Sequence, residues 1–178
     1  MAGPKVIRST NHCRAVSFVS LRVSGSVSSP GHVDEVGRDD VTARTVITFG
    51  TFDVFHVGHV RVLNRAAELG DRLVVGVSSD SLNFAKKDRY PVFTQDERVE
   101  IVRNIKVVDA VFVEESLELK RDYVLKYRAE VLVMGDDWAG KFDALSDICE
   151  VVYLSRTPSV STTAIIEHIS TPRSAARH

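Results

Sequence analysis

From Thr45 onward the chain alternates between short apolar runs and longer amphipathic stretches. Thr45 to Phe49 is a β-branched run stopped by Gly50, the pattern of a buried strand. A helix is expected over Gly58 to Leu69, with Val60, Leu63, Ala66 and Ala67 on one face and Gly70 as its stop. Arg72 to Val77 reads as a second strand. Thr94 and Glu97 stand at capping-box spacing and open a helix carrying Val99, Val102 and Ile105. The apolar runs Ala110 to Val113, Val131 to Met134 and Val151 to Leu154 are further strands, separated by helical patterns around Leu117 to Tyr127 and Asp143 to Ile148. A last helix begins near Ser161 and carries Ile165, Ile166 and Ile169.

Strands that alternate with helices imply βαβ units. The fold class expected is α/β, a Rossmann-like doubly wound parallel sheet with helices on both faces. In such sheets ligands bind beyond the carboxyl ends of the strands. The loops after Phe49, Val77, Met134 and Leu154 are therefore where chemistry is to be sought. The domain is expected over residues 45–170, followed by a frayed tail over 171–178. Residues 1–44 differ in texture: Met1 to Val33 is rich in Ser, Val and Arg and holds no Asp or Glu. A disordered extension, a transit peptide and translated sequence upstream of the true start all fit that composition, and disorder is the expectation adopted.

Composition narrows the picture only a little. The formal net charge is −1, which gives no general attraction to nucleic acid or an anionic membrane, so any anion site must be local. Cys13 and Cys149 lie far apart and offer neither a zinc motif nor a disulfide framework, and a reducing, cytoplasmic location is expected. No apolar run reaches the roughly 18 residues that span a bilayer.

Two of the loops carry unusual residues. Gly50 to His59 (GTFDVFHVGH) places His56 and His59 three apart at a helix start, pointing the same way. There they join free backbone N–H groups and a positive dipole end, and Gly58 permits close approach of a ligand. That is a phosphate cradle; a metal pair or two surface histidines are the plainer alternatives, and zinc lacks an obvious third ligand. Arg156 to Thr163 (RTPSVSTT) runs into the last helix, where Ser161 or Thr162 can cap and the first turn can hold phosphate oxygens. An ordinary capped helix is the plainer reading of this segment alone.

Together with MGDDWAGKFD at Met134 to Asp143, these segments resemble the bacterial glycerol-3-phosphate cytidylyltransferases of the H-x-G-H nucleotidyltransferase superfamily, over Thr45 to about Ile169. The resemblance implies that Thr51, Phe52, His56 and His59 contact CTP, with Gly50, Asp53 and Gly58 in the same loop. It implies Lys86 on the triphosphate and Arg156 with Thr157 around the cytosine. Asp137 and Trp138 would lie beside the nucleoside, with Ser161 and Thr162 on phosphates. Lys87 or Arg89 would meet the acceptor phosphate, and Lys120 would lie near the acceptor. His56, His59, Lys86 and Arg156 are the expected catalytic set. Mg²⁺ would enter on the nucleotide, since no dense carboxylate cluster is visible to hold it, and a homodimer is allowed.

An acceptor phosphate oxygen would attack the α-phosphorus in line, with no general base because the acceptor is already an anion. Two departures stand out: Ser159 replaces a glycine, and Asp88 displaces the second lysine of a K-x-K pair. Competing readings are a nucleotidyltransferase using ATP or an ethanolamine, choline or sugar phosphate, a tRNA-charging enzyme, and a non-catalytic nucleotide sensor. The chain is short and lacks net basic charge for the tRNA reading.

Overall fold

The computed structural model describes residues 5–7, 43–156 and 161–171. Among these the strands form one sheet in the order β1-β6-β5-β2-β3-β4. They are β1 (Lys5–Ile7), β2 (Thr45–Gly50), β3 (Arg72–Ser78), β4 (Ala110–Glu114), β5 (Val131–Gly135) and β6 (Glu150–Leu154). β2 through β6 pair in parallel, as the alternating pattern demanded, and β1 alone runs antiparallel, on β6. The helices are α1 (Val57–Ala67), α2 (Asp80–Lys87), α3 (Gln95–Arg103), α4 (Lys120–Lys126) and α5 (Thr162–Ser170). Short 3₁₀ turns cover Asp136–Trp138 and Asp143–Asp147.

Because successive strand residues point to opposite faces, each strand feeds two cores. Val46 of β2, Leu73, Val75 and Val77 of β3 and Val131 and Val133 of β5 pack with Leu63 and Ala66 of α1 and Val102 of α3. Ile47, Phe49, Val74, Leu132, Met134, Val151 and Tyr153 face the other way, onto Val124 of α4 and Leu145. Each fully buried aliphatic side chain contributes roughly 1.5–3 kcal/mol, so both layers hold the strand ends firmly.

Several details of the structure lie beyond the sequence pattern. Within the expected extension over 1–44, Lys5–Ile7 pair with Val151 to Tyr153, while residues 1–4 and 8–42 lie outside the described residues. The helix α2 was not foreseen, because its one buried residue is the polar Asn83 while Phe84 stays exposed, the reverse of an apolar stripe. The helical pattern at Asp143 to Ile148 closes only as a 3₁₀ turn, and α4 starts at Lys120 rather than Leu117. The Thr94–Glu97 capping box forms as expected.

The chain leaves β2 toward β3 on one side and returns to β5 on the other. That makes the carboxyl ends of β2 and β5 the topological switch point, where a crevice opens.

Candidate active site

A cavity of about 470 Å³ occupies that crevice, within the range of small-molecule sites. It is lined by the expected His56, His59, Lys86, Arg156, Gly50, Thr51, Phe52, Asp53, Gly58 and Asp137, together with Ser161, Thr162, Lys87, Arg89, Lys120 and Trp138. Thr157, and Ser159 with it, lies outside the described residues, as does Cys13. The lining brings five Lys and Arg side chains together with three carboxylates, those of Asp53, Glu114 and Asp137. A chain of almost no net charge has thus built a local cationic site.

The two histidines cap their own helix. His56 is the N-cap of α1: its Nδ1 accepts from Gly58 N–H at 3.0 Å, and its own N–H donates to His59 Nδ1 at 3.3 Å. The rings stack with centroids 3.9 Å apart. An Nδ1 that accepts an amide proton carries none itself, so each neutral ring keeps its proton on Nε2 and presents a donor there. Burial, and next the neighbouring His56, hold His59 down to about 4 from 6.5; burial also lowers His56. Neutral N–H donors side by side at a helix start are suited to phosphoryl oxygens.

The loop between β2 and α1 is strained in place. Phe52 and Val54 have φ of 53° and 44°, left-handed values that a β-branched residue rarely adopts. Phe52 folds back so far that a Cβ on Gly50 would lie 3.0 Å from its ring. The two carboxylate oxygens of Asp53 accept from the amides of Val92 and Phe93, each at 3.0 Å, and its carbonyl accepts from Thr162 Oγ1 at 2.9 Å. Through its side chain and its backbone carbonyl, Asp53 therefore ties three segments together around the cavity. Thr51 Oγ1 likewise donates to Asn83 Oδ1 at 2.6 Å.

At α5, Ser161 Oγ accepts from Ala164 N–H at 3.1 Å as the N-cap and keeps its own proton for a ligand. Thr162 has spent its hydroxyl proton on Asp53, and its amide, with that of Thr163, has no partner within the helix. Asp137 accepts from Arg156 Nη2 at 2.8 Å, which holds the otherwise exposed guanidinium beside the cavity. Asp88 is the C-cap of α2 at φ 51°, a left-handed position that Asp tolerates better than Lys. Its displacement of a lysine thus has a backbone reason, and Lys87 and Arg89 flank it, both on the cavity.

Two further residues shape the site without having been singled out from sequence. Arg98, completely buried, donates to the carbonyls of Thr51 (2.7 Å), Ser78 (2.8 Å) and Phe93 (3.1 Å) and to Asp80 (2.5 Å). It joins the ends of β2 and β3 to the starts of α2 and α3. Its signal was its place four residues before Val102, on the apolar face. Glu114 lies buried at the cavity floor beside Lys120, and its signal was a charge closing an apolar strand.

Residues 47–173 match the cytidylyltransferase-like family. The glycerol-3-phosphate cytidylyltransferase of Bacillus subtilis is 46% identical over 71% of this chain and 98% of its own length. That of Staphylococcus aureus is 42% identical over 71% of this chain and 95% of its own. The solved structure of a lipopolysaccharide core biosynthesis protein from Thermoplasma volcanium superposes with a TM-score of 0.56 at 25% identity, over 65% of this chain and 98% of that one. With the matched segment spanning both H-x-G-H and the Ser/Thr helix start, and the two meeting in one cavity, the chain belongs to the cytidylyltransferase-like family.

Proposed function

We propose that the protein transfers CMP from CTP to sn-glycerol 3-phosphate, giving CDP-glycerol and pyrophosphate. The observation that carries this reading is the similarity, over 71% of this chain and nearly all of their own length, to two proteins named for that activity. A cavity at the switch point lined by residues from each of the matched motifs supports it.

In the reaction an oxygen of the acceptor phosphate forms a bond to the α-phosphorus of CTP while the bond from that phosphorus to the bridging oxygen breaks, and the electron pair leaves with pyrophosphate. The acceptor is already anionic, so no proton need be removed. The work of the protein is to hold two repelling anions in line and to stabilise the charge that spreads over the transferred group. The Nε2–H groups of His56 and His59 and the amides at the start of α5 donate to phosphate oxygens. Lys86 supplies a cation to the triphosphate, while Lys87, Arg89 and Lys120 face the acceptor phosphate. Arg156, held by Asp137, reads the nucleoside side with Thr157. Preset donors of this kind need no rearrangement as charge develops, which is the source of their effect.

A divalent cation, Mg²⁺, is expected with the triphosphate. Among the described residues no group of three or more His, Cys, Asp or Glu side chains is placed to hold one, and Asp53 and Asp137 are already engaged. Among the described residues, then, no group of three such side chains would hold the ion, and none of the steps above passes through it.

The test is pyrophosphate release with CTP and ATP crossed against glycerol 3-phosphate, phosphoethanolamine, phosphocholine and a sugar phosphate. CTP with glycerol 3-phosphate is expected to give the highest kcat/KM. A preference for ATP, or for another acceptor, would replace this assignment by another activity of the same fold.

A further inference from the structure

Glu114 closes β4 at the floor of the cavity and is 1% exposed. It stands in register with Ser78, the last residue of β3. One carboxylate oxygen accepts from Ser78 Oγ at 2.8 Å, and the other is the ion-pair partner of Lys120 Nζ. Lys120 is itself 3% exposed and lies over the Phe49 ring, 3.3 Å from its centroid. Lys86, reaching in from α2, donates to Ser78 Oγ at 3.4 Å. A single chain of contacts, Lys86–Ser78–Glu114–Lys120, thus crosses the cavity floor. One carboxylate serves two ammonium groups, one directly and one through a hydroxyl.

A buried ammonium without a counter-charge gives up its proton, and a second cation nearby makes this worse. Lys120 is held down to about 8, by burial first and with Lys86 adding to it, while Glu114 opposes both. Glu114 from β4 and Lys86 from α2 are the charged groups acting on it. Without Glu114 the site would face a phosphate dianion with a neutral, unanchored amine.

We infer that Glu114 is a positioning residue for the acceptor subsite, keeping Lys120 charged and aimed at the incoming phosphate and, through Ser78, steadying Lys86. This rests on the reading of the cavity as a site for CTP and a phosphorylated alcohol.

The experiment compares the full chain with its Glu114→Gln and Glu114→Asp variants, varying CTP and glycerol 3-phosphate separately. Glu114→Gln is expected to raise the acceptor KM roughly tenfold or more, as when a charged partner is lost, with a much smaller change in the KM for CTP. The rise should grow with pH as Lys120 loses its proton earlier, and Glu114→Asp should restore part of it. An unchanged acceptor KM, or a fall in kcat with neither KM altered, would overturn the inference. Should Glu114→Gln fail to fold, the Asp variant decides by the same criterion. Should the unaltered protein not turn over these substrates, the proposed function fails on its own, and calorimetric titration with inorganic phosphate still decides. Weaker phosphate binding by the variant upholds the role of Glu114, and equal binding ends it.

Discussion

At the scale of single residues the site is built from side chains that each do a structural and a chemical job. His59 accepts a backbone proton at Nδ1, and the cap it forms presets the Nε2–H that faces the cavity. Since burial holds His59 at about 4 against 6.5 for the free group, the folded chain binds fewer protons than the unfolded one between those values. Stability from this source is complete above about 6.5 and is lost as pH falls toward about 4. Melting temperatures between pH 7 and 4 should therefore fall less steeply for His59→Asn than for the unaltered protein. The same variant keeps an acceptor for the cap but loses the distal donor, and turnover should drop roughly 10²–10⁴-fold. Unchanged turnover would make His59 a cap and nothing more. The pairing of the histidines was legible in sequence; their protonation was not, because it depends on burial and on which nitrogen the backbone claims.

At the scale of elements, the loops after the strands are held by contacts that span the chain. A Cβ on Gly135, which ends β5, would run into Asp137 Oδ1, the far end of the carboxylate that holds Arg156. Gly135→Ala should swing Asp137 away, release Arg156 and raise the KM for CTP about fivefold, or ~1 kcal/mol, with circular dichroism unaltered. An unaltered KM would mean that the ion pair does not place the guanidinium. The capping box at Thr94 could be read from four consecutive residues because it is local. Helix α2 escaped because Asn83 is buried for its hydrogen bonds to Ser78, Ser79 and Thr51, a reason no hydropathy pattern expresses.

At the scale of the whole molecule, the sheet sets the site and its edge carries an addition. The family match begins at residue 47, within β2, whereas β1 comes from far upstream and covers the outer edge of β6. That edge lies away from the switch point between β2 and β5. A chain beginning at Thr45 should keep its kcat/KM, since among the described residues the cavity lining begins at Thr48. It should melt a few degrees lower and aggregate more readily, because β6 becomes an unpaired edge. Loss of turnover in soluble truncated protein would show that the upstream segment contributes to the site.

What the amino-acid order determined by itself was everything that follows from local periodicity and short motifs. That includes the alternation of strands and helices, the helix-start histidines, a cap at Ser161 or Thr162 and the family to which these segments point. The tertiary structure decided which residues converge. Asp53 became a tie between loops, Arg98 a buried clamp and Glu114 a shared counter-ion, because each has at least one partner 18 to 109 positions away. Charge on a side chain is visible in sequence; whether it is solvated, paired or left facing a ligand depends on packing across the sheet, and that is settled only when the strands take their order.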